Sequence, residues 1–163
     1  TMPSSAIRPW AGPGAPVPRR LPVGDTTLHV EDSGGAGPVV VFAHGLLWST
    51  ALFAPQVAVL RDRYRCVAYD HRGQGRSVPA PGRGPIAIDT LVDDAIALVE
   101  ALGAGPVHFV GLSMGGMVGM RLAARRPDLV RSLVLMDTAA TPEPPAAARR
   151  YALLARAARL VGV

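Results

Sequence analysis

Apolar and polar residues alternate over Thr26–Glu31 (Thr-Thr-Leu-His-Val-Glu), which predicts a half-exposed strand with His29 facing solvent or a neighbouring strand. The pattern then changes. Val39–Ala43 is a continuous apolar run, as in a parallel strand covered on both faces. Cys66–Tyr69, Val107–Val110 and Val130–Met136 read as further strands. Between them lie segments of helical period. Phe53, Val57 and Leu60 share one face of residues 51–60. Leu91, Ala95, Leu98 and Leu102 form a stripe that Gly103 ends, and Thr90-x-x-Asp93 resembles a capping box. Asp93 and Asp94 are read as charges favoured in a first helical turn. Residues 114–126 are helical as far as Pro127. Residues 146–162 place Leu153, Leu154, Ala157, Leu160 and Val161 on one side, with Arg149, Arg156 and Arg159 elsewhere. Strands alternating with helices predict an α/β fold. Residues 1–21, rich in Pro, Gly and Ala, read as a flexible arm.

One junction carries chemistry. Gly111-Leu112-Ser113-Met114-Gly115-Gly116 joins the run ending at Val110 to the helix that follows. A Gly-x-Ser-x-Gly between a strand and a helix is a nucleophile elbow: the turn strains the serine backbone, and glycines two positions to either side remove side chains that would clash. The serine oxygen then stands proud of the sheet beside the positive end of a helix.

Two further segments follow strands in the same way. His44-Gly45-Leu46-Leu47-Trp48 comes after Ala43, and Asp70-His71-Arg72-Gly73-Gln74-Gly75-Arg76-Ser77 comes after Tyr69. Open α/β sheets place their sites at such strand ends. The order and spacing of the three motifs resemble the α/β-hydrolase superfamily, in its branch of serine esterases, lactonases, C–C hydrolases and cofactor-free haloperoxidase-like enzymes. The resemblance covers residues 22–163. It implies a three-layer sandwich with a mostly parallel sheet, of which this chain supplies about the first six strands and the first helix of a cap. The division expected is an arm over 1–21, the N-terminal part of the core over 22–141, and the start of a cap over 142–163.

The resemblance also assigns roles by position. Ser113 is the nucleophile. The backbone N–H groups of Leu46 and Met114 form the oxyanion hole, since a tetrahedral intermediate needs preorganised donors for its negative oxygen. His44, Gly45 and Trp48 belong to the pocket, His44 as a shaper of its loop and not as a base. Asp70 and Arg72 hold loops by hydrogen bonds. Asp137, at the end of the strand that finishes at Met136, is a candidate for the acid, with a turn-capping aspartate as the alternative. In this family the order is serine, acid, histidine. All four histidines, His29, His44, His71 and His108, precede Ser113. His108 lies in the strand before the elbow and is read as a core or sheet-face residue. The catalytic histidine is therefore expected from outside this sequence.

Composition narrows the partners. The net charge is +5, carried by 17 basic residues that are all arginine and are scattered along the chain. Only 5% of residues are aromatic, whereas nucleic-acid sites combine clustered charge with stacking rings, so no nucleic-acid partner is expected. No apolar run approaches the roughly 18 residues that span a bilayer, and no basic segment with an apolar block opens the sequence. No membrane partner and a cytoplasmic location are the expectations. Cys66 is the only cysteine, which excludes an intrachain disulfide, and no Cys/His cluster has zinc spacing. Neither a metal nor a cofactor is expected. The function expected is hydrolysis of an ester, thioester or lactone of a small, largely apolar substrate, with a second polypeptide or a homo-oligomer completing the fold. A non-catalytic fragment or interaction half-domain that keeps the elbow is the alternative.

Overall fold

Strand β3 (Val39–Ala43) lies inside a six-stranded sheet, and its burial explains the rest of the architecture. The computed structural model describes residues 17–77, 86–141 and 145–161. Every side chain of β3 is buried, in two directions. Val39, Val41 and Ala43 face a core shared with helices α2 (Ile88–Leu102) and α3 (Met114–Arg125). Val40 and Phe42 face the opposite core, with Phe53 and with Val57 of α1 (Ala54–Leu60). Full burial of each Val, Leu or Phe contributes about 1.5–3 kcal/mol. The result is a sheet with helices on both faces.

The strand order is β1-β2-β4-β3-β5-β6. β3, β4 (Arg65–Tyr69), β5 (Val107–Leu112) and β6 (Val130–Met136) are parallel. β1 (Val17–Val23) and β2 (Thr26–Asp32) join as an antiparallel hairpin on the β4 side. β6 is the other edge, with Val134 and Leu135 more than two-fifths exposed. Helix α4 (Pro145–Val161) completes the described chain.

Several expectations change here. The stretch read as an arm becomes strand β1 from Val17 onward, while residues 1–16 lie outside the described residues. Prolines at 18 and 22 suit this strand because it is an edge. β2 is buried along most of its length, not half-exposed. His29 does not face solvent: it is buried, with Nε2 3.1 Å from Glu31 Oε1. The 70–77 loop covers this strand, since His29 N–H donates to Ser77 Oγ and Arg76 reaches Glu31. The capping box at Thr90 does not form. α2 starts at Ile88, which packs on the core, so Thr90 is inside the helix and Ala87 is a cap without a side-chain bond. Gly103 ends α2 in the left-handed conformation, as expected.

Candidate active site

Three strands end level with one another. Ala43 pairs with Tyr69 of β4 on one side and with Gly111 of β5 on the other. The chain leaves β3 for β4 and then crosses back to β5, so the gap above these strand ends is the switch point where α/β sheets bind ligands. The loops 44–48 and 70–77 and the β5–α3 junction meet there.

Ser113 forms that junction at φ 49° and ψ −113°. A residue with a Cβ in this region costs about 1–3 kcal/mol unless its surroundings enforce the geometry. They do. Ser113 N–H donates to Met136 O at 2.9 Å, and Ser113 O accepts from Met117 N–H at 3.0 Å and from the Thr138 hydroxyl at 2.8 Å. The flanking glycines are sterically required. A Cβ on Gly111 would collide with the Gly115 carbonyl, and one on Gly115 would lie 2.6 Å from the Ala43 carbonyl carbon.

Across from the serine, Gly45–Trp48 is a tight turn, closed by Trp48 N–H donating to Gly45 O at 3.3 Å. Its third residue, Leu47, has φ 62°, a conformation usually left to glycine or asparagine. The backbone of Gly45 passes close enough that a Cβ there would touch Ser113 Cβ at 3.5 Å. Leu46 N–H has no acceptor among the described residues. Met114, the first residue of α3, has no carbonyl one turn earlier to receive its N–H. Gly45, Leu46, Leu47, Trp48, Leu112, Ser113 and Asp137, with Tyr151 and Leu154 of α4, line a cavity of about 230 Å³. Asp137 also holds a positive φ, 45°. Most of the lining side chains are apolar, and Ser113 and Asp137 are the polar ones besides the Trp48 indole N–H and the Tyr151 hydroxyl.

His44 is not part of this wall. It is fully buried beneath the turn, contrary to its expected place in the pocket. Its Nδ1–H donates to Gly45 O at 2.7 Å, and its Nε2 accepts from His71 N–H at 3.1 Å. Both ring nitrogens are thus occupied in shaping the loop. Burial pushes its pKa below the ordinary 6.5, against the opposing pull of the Gly45 carbonyl and the Asp70 carboxylate. His71 is also buried. Its Nε2–H donates to His44 O at 3.1 Å, and its Nδ1 has no partner among the described residues. Burial, reinforced by neighbouring His44, lowers its pKa well below 6.5. His108 shares a 2.7 Å hydrogen bond with Ser132 Oγ. Among the described residues no histidine hydrogen-bonds to Ser113.

The charged residues of the second loop are structural. Asp70 accepts from Thr50 N–H at 2.6 Å and from Arg76 N–H at 2.8 Å, tying the loop to the start of the α1 segment. Arg72 grips Asp94 through Nε at 2.6 Å and through Nη2, and reaches Asp25 at 2.9 Å. Asp94 is therefore a buried ion-pair partner on the second turn of α2, not a first-turn dipole charge, whereas Asp93 is exposed and pairs with Arg125 at 2.9 Å. Gln74, Asp94 and Thr138 were not predicted as site supports. Their partners lie 22 to 40 residues away, and only the fold brings them together. Among the described residues no cluster of three or more His, Cys, Asp or Glu could hold a metal ion, and no helix is long and apolar enough to cross a membrane.

Residues 38–159 match the family described as alpha/beta hydrolase fold. A protein of Caulobacter segnis named as a carbamate hydrolase, RutD, is 41% identical over 106 residues, which are 65% of this chain and 40% of that one. A 2-(acetamidomethylene)succinate hydrolase of Mesorhizobium japonicum is 39% identical over 121 residues, 74% of this chain and 42% of that one. The chain thus spans less than half the length of these relatives. Among solved structures, the enol-lactonase from Burkholderia xenovorans LB400 superposes with a TM-score of 0.77 at 35% identity, covering 85% of this chain and 54% of that one.

Proposed function

The chain belongs to the α/β-hydrolase fold family, and from that premise we propose that it carries the nucleophile half of a serine hydrolase acting on esters, thioesters or lactones. The observation that carries the reading is the strained Ser113, held between β5 and α3 and opening on a cavity of about 230 Å³. Its oxygen attacks the substrate carbonyl carbon, and its proton passes to a histidine from polypeptide outside these 163 residues. The carbonyl oxygen becomes an oxyanion held by the N–H groups of Leu46 and Met114. Collapse expels the alcohol or thiol, which leaves with the histidine proton. Water then adds to the acyl-serine by the same route and releases the acid. Asp137, on the cavity wall with Ser113, is the candidate for orienting the histidine. The apolar wall of Leu46, Trp48, Leu112 and Leu154 favours a small, largely apolar substrate.

The other polypeptide segment would also cover the exposed edge of β6, where Val134 and Leu135 meet solvent. A second chain or a second copy would serve equally. Purified protein that sediments as a monomer at high concentration would count against this part.

The test is a fluorophosphonate probe followed by intact mass of every polypeptide in the sample. Probe mass on Ser113, absent from S113A, supports a serine hydrolase with its base in place. An unmodified Ser113 in folded protein overturns that reading in favour of a non-catalytic interaction domain that retains the elbow.

A further inference from the structure

Gln74 joins the two places from which the oxyanion donors come. Its Oε1 accepts from Leu47 N–H at 2.7 Å, and its Nε2 donates to Met114 Sδ at 3.9 Å. The residue is itself fixed by its backbone: Gln74 N–H donates to His71 O and Gln74 O accepts from Ser77 N–H, each at 3.0 Å. A half-buried amide on a rigid loop therefore touches both the Gly45–Trp48 turn and the first residue of α3.

The contact with Leu47 falls on the central peptide of the turn, next to the peptide that carries the Leu46 N–H. In a four-residue turn, the central peptide sets whether the third residue takes positive or negative φ, and the two forms differ by a flip of that peptide. Here it is the Leu46–Leu47 peptide. Leu47 at φ 62° carries the unfavourable form, without the glycine or asparagine that usually occupies such a position. Flipping the peptide would relieve Leu47 and turn a carbonyl, in place of an N–H, towards Gln74 Oε1. Two acceptors would then face each other. The Gln74 oxygen thus selects the observed turn.

We propose that Gln74 is a positioning residue of this site, which holds the Leu46–Leu47 peptide in the observed turn and thereby the adjoining peptide that carries the Leu46 N–H, while its amide also contacts the Met114 side chain. The proposal rests on the serine-hydrolase reading for its consequence, and on the Leu47 hydrogen bond for its geometry.

The test uses the full chain with whatever polypeptide completes it, and compares wild type with Q74L, of similar volume but without hydrogen bonds, and Q74E, which keeps an oxygen for Leu47 N–H. Two quantities are measured: hydrogen exchange at the Leu47 amide by NMR, and Ser113 phosphonylation as a function of fluorophosphonate concentration. Q74L is expected to speed Leu47 exchange about tenfold and to lower the maximal labelling rate about tenfold, with the half-saturating probe concentration unchanged. Q74E is expected to restore Leu47 protection. Unchanged Leu47 exchange in Q74L overturns the proposal, and so does an unchanged labelling rate. If wild-type Ser113 does not label at all, the serine-hydrolase reading fails separately, and the Leu47 amide still decides whether Gln74 holds the turn.

Discussion

The hydroxyl of Thr138 donates to the carbonyl oxygen of Ser113 at 2.8 Å, from the loop that follows β6. That carbonyl already accepts from Met117 N–H, so Thr138 is a second donor on one oxygen. Thr138→Val keeps the shape of the side chain against Gly116 and removes only the hydroxyl donor. We expect a loss of about 0.5–1.5 kcal/mol in urea unfolding, because no buried group is left wholly unpaired. A loss of more than about 3 kcal/mol would mean that the elbow depends on Thr138 alone.

Gly115 packs against the end of β3. A Cβ there would press on the Ala43 carbonyl and lie 2.8 Å from His44 O, both of them backbone atoms that cannot rotate away. Gly115→Ala must therefore separate α3 from the sheet, which costs about 1–3 kcal/mol as overpacking. The separation also moves Met114 N–H away from the Gly45–Trp48 turn. We expect slower phosphonylation of Ser113 together with a lower urea midpoint; an alanine variant that matches wild type in both would contradict the tight contact.

Features that depend on neighbouring residues were legible in the sequence, and features that depend on distant ones were not. The elbow was readable because the clash that demands Gly111, with the Gly115 carbonyl, arises within the motif itself, although the contact that demands Gly115 is with the distant backbone of Ala43 and His44. The buried strands were readable because a run such as Val39–Ala43 has no exposed face to vary. β1 was hidden because Val-Pro-Arg-Arg-Leu-Pro-Val lacks a buried pattern; it is an edge strand held by its register with β2. His44 was placed on the right loop but in the wrong surroundings, since nothing local says that His71 N–H will take its second nitrogen. The Arg72–Asp94 pair spans 22 residues and two separate elements, and no periodicity announces it.

That pair yields a prediction of its own. Both side chains are buried, at 6% and 4% exposure, and the guanidinium binds the carboxylate with two nitrogens. Removing Arg72 leaves Asp94 uncompensated in the interior, and removing Asp94 leaves the buried guanidinium only its contact with exposed Asp25. Asp94→Leu or Arg72→Met alone should cost about 3–5 kcal/mol, while the double variant should lose less than the sum, because no orphan charge remains. The urea midpoints of the four proteins form the cycle. Additive losses would show that the two groups do not interact.

Cys66 sits in β4 with no exposed surface, and burial pushes its thiol up to about 11. The reactive thiolate is therefore scarce at neutral pH and also out of reach. We expect a disulfide reagent such as DTNB to leave the native protein unmodified at pH 8, and to react fully once urea unfolds it. Rapid reaction without urea would mean that β4 opens locally in the native state.

The two edge-to-face histidines set a pH dependence. His44 and His71 have ring centroids 4.7 Å apart, and both are held neutral by burial, with pKa values below the ordinary 6.5. In the unfolded chain each titrates near its ordinary value. As pH falls below 6.5, the unfolded state takes up protons that the native state refuses, so stability is full above 6.5 and declines below it. With both histidines contributing, the slope is at most two protons, about 2.7 kcal/mol per pH unit. Unfolding free energies measured in urea at pH 7.5, 6.5 and 5.5 should fall with acid in this way. Stability that is level or rising from pH 7.5 to 5.5 would mean that both rings can be protonated in place, and that the hydrogen bonds assigned to them under the Gly45–Trp48 turn are wrong.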